Sequence, residues 1–488
     1  MQTRRKMLMM AAWAGGALAL LPVAALAGAA LDERAPTGSD PTSRRPVPSR
    51  RTLSSKAVED TLLRVKAAIA DPELAWLFEN CYPNSLDTTI TLGDFDGKPD
   101  TFIVTGDIPA MWLRDSSAQV WPYLPLAKAD PALRRMFRGL IHRHARSIAL
   151  DPYANAFLDD AEAQPLSWAA ADMTDMKPGV AERKWEIDSL CHPIRLAHGY
   201  WRLTGDAEPF DEQWRDAMSQ VIQTFRVQQR RDGRGPYRFQ RASENPNDTL
   251  SEDGFGAPTR KVGLIHSMFR PSDDACVYPF LIPANLFAVQ SLRQLAAMMR
   301  AVFRDSALAA ECESLAAEVD AAVQLHGRIH DPRGRTFLAY EVDGFGNTLF
   351  MDDANIPSLM SLAYLGACRS DDPLYRATRE RCWSMDNPYF FRGAAAQGVG
   401  GPHAGTKMIW PMSIIVRALT SADDAEIRDC LRLLKRTHAG TGFMHEAFDQ
   451  DDPAHFTRPW FAWANSLFGE MILDLSRRKP ALLRHERF

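Results

Sequence analysis

The sequence predicts an all-α fold: an (α/α)6 barrel, a toroid of six helical hairpins, with small β-hairpins in its long loops. Three observations carry this. Apolar residues recur at three- to four-residue spacing in twelve segments between residues 56 and 488. Many neighbouring segments are joined by very short links, which force antiparallel packing. The remaining connections are long and alternate with the short ones, as they must when six hairpins close into a ring. The short turns then lie on one rim and the long loops on the other, where function is expected. A superhelical repeat array is the alternative, but no repeat sequence is shared between segments.

The chain begins with a targeting segment, expected over residues 1–27. A basic start, "TRRKMLMM", leads into an apolar run ending in the small-residue triplet "ALA" at 25–27. Arg4-Arg5 fits a twin-arginine signal. This predicts a bacterial periplasmic or secreted protein, free of the membrane once the signal is cleaved. Residues 28–55, rich in Pro, Ser, Thr and Arg, offer little apolar surface and are expected to form a disordered linker. One domain then spans 56–488, with no second break in composition. Its helices are expected near 56–80, 114–128, 130–147, 187–204, 207–231, 274–300, 304–325, 356–368, 371–386, 407–420, 423–437 and 462–477. Asp130-Pro131 opens one of them, and "SADDAEIRD" reads as a cap with an acidic first turn. Between helices, "TTITLGDFDGKPDTFIVTGDI" and "TFLAYEVDGFGNTLFMDD" read as hairpins.

Composition narrows function mainly by exclusion. A net charge of -4 and 24% charged residues give no field that would draw nucleic acid. The seven cysteines show no C-x-x-C and no zinc spacing with histidine. No segment after the leader reaches the ~18 apolar residues of a membrane span.

The long loops and adjoining helix starts collect carboxylates with aromatics, His and Arg. They read "TGDIPAMWLRDSSAQVWPY" (105–123), "KWEIDSLCHP" (184–193), "GLIHSMFRPSDDACVYPF" (263–280), "MDDANIPS" (351–358), "GPHAGTKMIWP" (401–411) and "GFMHEAFDQDDPAHFTRPWFAWANS" (442–466). Aromatic faces beside Asp, Glu, Asn and Arg suit a sugar, whose C–H faces stack and whose hydroxyls pair with polar groups. Glycoside cleavage needs two carboxyl groups, one protonated and one ionised. Taken singly, each cluster has a plainer reading. Asp273 and Asp274 fit a helix cap, Arg114-Asp115 a structural pair, and "WFAWA" at 460–464 ordinary core. His445-Glu446 lacks the second histidine of a zinc motif. The case for function rests on six clusters sharing one rim.

Together "MWLRDSSAQVWPY", "KWEIDSLC", "FRPSDDA", "MDDANIPSL" and "GFMHEAFD" resemble glycoside hydrolase family 125 over residues 57–477. The resemblance implies an inverting, exo-acting α-1,6-mannosidase on an (α/α)6 barrel, with no metal and no cofactor. Its partner is an α-mannoside oligosaccharide or an N-glycan-derived substrate. The resemblance places the general acid within "PSDDA" and the general base at Glu446. Asp273, nearer the loop, is assigned as the acid, and Asp274 as its capping partner or a sugar ligand. Repulsion between the two would help to keep one protonated. Arg114 and Asp115 match the motif beside the terminal sugar. Glu186, Asp188, His266, Arg270, Asp353, Asn355 and His445 are further candidates for hydroxyl ligands. Inversion requires carboxyl groups ~6.5–9.5 Å apart. Two rivals remain: another α-glycosidase on the same barrel, such as one specific for α-glucosides, and a glycan-binding protein without catalysis.

Overall fold

A computed structural model describes residues 42–488. The export segment expected over residues 1–27 and the first part of the linker lie outside the described residues. The helices, in order, are α1 (Lys56–Lys66), α2 (Pro72–Cys81), α3 (Asn84–Thr88), α4 (Leu113–Val120), α5 (Pro131–Leu150), α6 (Ile187–Thr204), α7 (Glu212–Gln228), α8 (Ile282–Met298), α9 (Ser306–His326), α10 (Pro373–Cys382), α11 (Pro411–Leu419), α12 (Asp424–Thr437), α13 (Ala462–Arg478) and α14 (Pro480–His485).

They form the expected (α/α)6 barrel. The inner ring runs α4 on α6, α6 on α8, α11 on α13 and α13 back on α4. α5 and α7 pack together outside it, while α9 covers α8 and α12 covers α11. The core fills the space between the rings, with Phe137 of α5 against Tyr200 of α6, centroids 5.7 Å apart. Gly139 lets α5 press on the hairpin Ile90–Phe95/Lys98–Ile103, because an added Cβ would lie 2.3 Å from Thr101 Oγ1. That hairpin is the one expected in "TTITLGDFDGKPDTFIV"; its Asp96-Gly97 turn has φ of 54° and 74°, as a two-residue turn requires. In the second expected hairpin, Glu341–Val342 pairs with Thr348–Leu349 and also with Phe280–Leu281.

The two rings differ in how their helices begin. α1, α2, α5, α7, α9, α10 and α12 start on Ser55, Asp71, Asp130, Asp211, Asp305, Asp372 and Asp423, whose side chains accept from the first-turn amides. The inner helices α4, α6, α8, α11 and α13 follow Trp112, Glu186, Leu281, Trp410 and Phe461, none of which makes a side-chain cap bond. Each of these five follows a long connection, so the long loops and the inner N-termini share one rim.

Four expectations need correction. The linker ends earlier than residue 55. Arg45 bridges Glu59 and Asp87, with Nη1 and Nε donating at 2.9 and 2.8 Å, and Leu53 is buried. Composition counted apolar surface and could not see these two carboxylates. The helix expected at 56–80 breaks at Asp71-Pro72, where the Asp71 side chain caps a new helix. The helix expected at 274–300 begins only at Ile282, since Pro279 and Pro283 favour extended backbone before them. Finally, residues 356–368 form turns rather than a helix. Asp352 accepts from the amides of Leu359 and Met360 at 2.7 and 3.1 Å, and Ser358 and Ser361 bond each other's backbone. This segment still serves the inner ring: His192 of α6 meets Ile356 O at 3.3 Å, and Tyr364 donates to Glu470 of α13 at 2.8 Å. All seven cysteines are free thiols. Among the described residues no helix is long and apolar enough to cross a membrane.

Candidate active site

The uncapped ends of α4, α11 and α13 meet around one cavity. Its wall contains Trp112, Trp410 and Phe461, the residues that precede those helices, together with Trp463. A capping Ser or Asp would have spent these positions on the backbone; an aromatic presents a face instead. The indole N–H groups of Trp112, Trp410 and Trp463 and the Asn355 amide nitrogen are buried without a protein partner. Such donors are left for a ligand or an ordered water to satisfy. Four donors between apolar faces match a polyhydroxylated ring.

Two carboxylates reach the same cavity from different elements: Asp273 from the loop before α8, and Glu446 from the loop before α13. Asp273 is not helical. Its φ is 67°, an uncommon value for a residue with a Cβ. The turn is held from both sides. Asp273 N donates to Arg270 O at 2.9 Å, Arg270 N donates to Asp274 O at 2.7 Å, and Lys184 Nζ donates to Asp273 O at 2.7 Å. Asn155 Nδ2 donates to Asp273 Oδ1 at 3.2 Å. The result turns the two neighbours apart. The Asp273 side chain is 23% exposed and lines the cavity. The Asp274 side chain is 1% exposed and takes a 3.2 Å bond from Ser272 Oγ, whose hydroxyl also lies 2.6 Å from Asp353.

Behind Asp273 lies a charge cluster centred on Arg114. Its guanidinium lies 2.5 Å from Glu186, 3.2 Å from Asp188, 3.4 Å from Asp273 and 3.5 Å from Asp115. One cation cannot keep four buried carboxylates ionised. Burial pushes Asp115 and Asp188 up to about 6 and Glu186 well above its ordinary value, against the pull of Arg114. Burial also opposes charge on Asp273, but Arg114 and Lys184 overcome it and hold that carboxyl near 2. Asp274 is raised by burial to about 6.

Glu446 precedes the strand Ala447–Asp449, which is paired on both sides with Met408–Ile409 and Phe456–Thr457. Beside it stands Arg458, whose Nη1 lies 3.5 Å from Glu446 Oε1. Arg458 Nη2 also donates to Thr105 Oγ1 at 3.2 Å and to Asp107 Oδ1 at 2.5 Å. The base candidate therefore sits at the start of a central strand with a cation at its side.

Of the residues chosen from sequence, Arg114, Asp115, Asp273, Asn355 and Glu446 line the cavity. Glu186 and Asp188 stand behind it on Arg114, and Asp274 and Asp353 behind it on Ser272. Three lie elsewhere. Arg270 is spent on Glu341, its Nε donating at 2.6 Å. His445 stacks on Phe456, with centroids 3.7 Å apart. His266 bonds Gln228 O and Thr259 Oγ1 at 2.6 and 2.7 Å. They are near in sequence to the site but turned into its scaffold. Sequence reasoning passed over Trp112, Trp410 and Arg458, although all three stood inside the quoted clusters. It set Phe461 and Trp463 aside as core, and both in fact line the cavity. A helix start without a capping side chain was the available signal. Lys184 also stood inside a quoted cluster, while Asn155 gave no signal, since only folding brings it to Asp273.

Residues 71–473 match the glycoside hydrolase family 125 family, metal-independent alpha-mannosidases. A fission yeast (Schizosaccharomyces pombe) protein, the meiotically up-regulated gene 157 protein, is 43% identical over 457 residues, covering 90% of each chain. A solved Streptococcus pneumoniae structure is 40% identical, with a TM-score of 0.83 over 87% of this chain and 99% of that one. It is described among metal-independent alpha mannosidases that process N-linked glycans, in a non-productive complex with alpha-1,6-mannobiose. A bacterial glucoamylase with acarbose, 10% identical with a TM-score of 0.50 over 86% of this chain and 59% of that one, shares the fold alone. One of these relatives corrects an expectation: the fission yeast protein, matched over 90% of its length, is eukaryotic, so the bacterial periplasmic or secreted location is withdrawn.

Proposed function

The chain belongs to glycoside hydrolase family 125, the metal-independent α-mannosidases, and from that premise we propose that it releases single mannose residues from the non-reducing ends of α-1,6-linked mannosides with inversion. The observation that carries this reading is one cavity walled by Trp112, Trp410, Phe461 and Trp463 and reached by both Asp273 and Glu446.

In this reading Asp273 protonates the leaving oxygen, and Glu446 takes a proton from the water that attacks the anomeric carbon. Geometry and protonation favour different neighbours for the acid. Asp274 has the higher pKa but no access to the cavity, and Asp273 has access but is ionised. Access decides, because a proton cannot be delivered from a carboxyl that never meets the leaving group. The proton that Asp273 needs is stored next to it. Burial raises the pKa of Glu186, on the same guanidinium, well above its ordinary value against the pull of Arg114, which makes it the proton source in this reading. A bound sugar that displaces water from the cavity weakens the case for a charged Asp273 and draws that proton across.

Hydrolysis of α-1,6-mannobiose followed by NMR of the anomeric proton tests the proposal. β-Mannose should appear before mutarotation mixes the anomers. α-Mannose as the first product would overturn inversion, and an intact disaccharide in the presence of folded protein would overturn the substrate. Preference for an α-linked glucose disaccharide would restore the rival glycosidase reading.

A further inference from the structure

A second cavity, of about 250 Å³, opens in the loop between α7 and α8, lined by residues distinct from those around Asp273 and Glu446. Three cations line it, Arg230, Arg234 and Lys261, against one carboxylate, Glu252. Arg230 is the unusual member. It is 9% exposed, yet among the described residues no carboxylate lies within ion-pair distance of it. Its Nη1 donates to Phe255 O at 2.9 Å, its Nη2 faces only the Met268 thioether at 3.4 Å, and its Nε has no partner. Arg114, Arg183 and Arg270 are as deeply buried, and each meets a carboxylate. A guanidinium taken out of water without an anion is costly, and a protein keeps one only where something repays the loss.

The surroundings define that something. Arg234 lies over the Phe255 ring at 5.2 Å, and Lys261 is tied to Arg231 O, so both cations are held at the wall. His266 adds no charge. Its Nδ1 donates to Gln228 O at 2.6 Å, burial lowers its pKa to about 3, and its Nε2 accepts a hydrogen bond from the Thr259 hydroxyl. Only donors of fixed positive charge face the cavity from the basic side. A planar fork beside two further cations suits a tetrahedral oxyanion, which accepts from several donors at once.

We propose that this cavity is a second binding site, which takes a phosphate group, either free or carried on a sugar. Binding of inorganic phosphate to the whole chain, measured by calorimetry at constant ionic strength with chloride as the reference, tests it. Saturable binding is expected, weakened at least tenfold in the Arg234→Ala/Lys261→Ala double variant, both of whose side chains are exposed. Hydrolysis of α-1,6-mannobiose by that variant should stay within twofold of the parent. In Arg230→Met, phosphate binding should vanish while the melting temperature without phosphate rises, because an uncompensated buried charge has gone. A sugar phosphate that binds more tightly than phosphate, with the neutral sugar silent, identifies the carried group; equal binding identifies free phosphate. No saturable phosphate binding, undiminished binding in the double variant, or binding of an acidic peptide in place of phosphate would overturn the proposal.

Discussion

Replacing Arg114 by Met should make stability depend steeply on pH. The side chain is 4% exposed and lies within 3.5 Å of four carboxylates. At an effective dielectric constant of about 20, a unit pair 3.2 Å apart interacts by roughly 5 kcal/mol. The variant avoids losing such terms for the carboxylates that are still charged by taking up protons. Protonating one carboxyl of ordinary pKa near 4 costs about 5.5 kcal/mol at pH 8 and about 1.4 kcal/mol at pH 5. Breaking a buried pair costs about 3–5 kcal/mol in general, consistent with one proton taken up near neutrality. The sign follows from proton counts. Carboxyl pKa values in the variant lie above those of the unfolded chain, so the native state binds more protons. Stability therefore falls as pH rises from about 4 through the raised values, by about 1.4 kcal/mol per pH unit for each extra proton. The parent already has part of this slope, because Asp115 and Asp188 titrate near 6. Urea unfolding of parent and variant at pH 5 and pH 8 should give a loss of about 5 kcal/mol at pH 8 and roughly 1–2 kcal/mol at pH 5. An equal loss at both pH values, or a loss below about 1 kcal/mol, would refute the claim that Arg114 is the main balancing charge of this cluster.

Asp273→Asn should lower kcat by about 10²–10⁴, whereas Asp274→Asn should lower it less than tenfold; the reverse order would exchange their roles. Glu446→Gln should cost a similar 10²–10⁴ with the fold kept by circular dichroism, and near-parental turnover would remove it as the base. Arg458→Met should reduce kcat more than it raises KM, since the guanidinium fixes Glu446 rather than a ground-state hydroxyl; an effect on KM alone would count against it. Trp112→Phe keeps the stacking face and loses an unpaired N–H, so KM for mannobiose should rise by roughly five- to tenfold, about the worth of one hydrogen bond. Activity should survive dialysis against EDTA; loss on chelation and recovery with calcium would contradict the metal-independent chemistry of the family.

What the sequence by itself determined is the barrel and the rim. Apolar spacing fixed helix identity, because a helix must bury a stripe. The alternation of short and long links fixed pairing, because a short link leaves no other partner. Both are local rules, and they failed where local rules compete. Asp352, Ser358 and Ser361 offer the backbone of 356–368 other partners, and Pro279 and Pro283 delay α8 to Ile282. The motif clusters placed Asp273 and Glu446 near one rim. Tertiary structure alone decided which side chains turn inward. Asp273 and Asp274 are adjacent and chemically identical in the chain. They part because Lys184, Asn155 and Arg114, from 89 to 159 residues away, hold Asp273 in a left-handed turn over the cavity while Ser272 draws Asp274 inward. His266, Arg270 and His445 carry the same promise in sequence, and each is spent on a scaffold partner that no spacing rule reveals. A side chain's direction depends on contacts that exist only once the ring has closed, so the cap-or-acid question at Asp273 had no answer below that level.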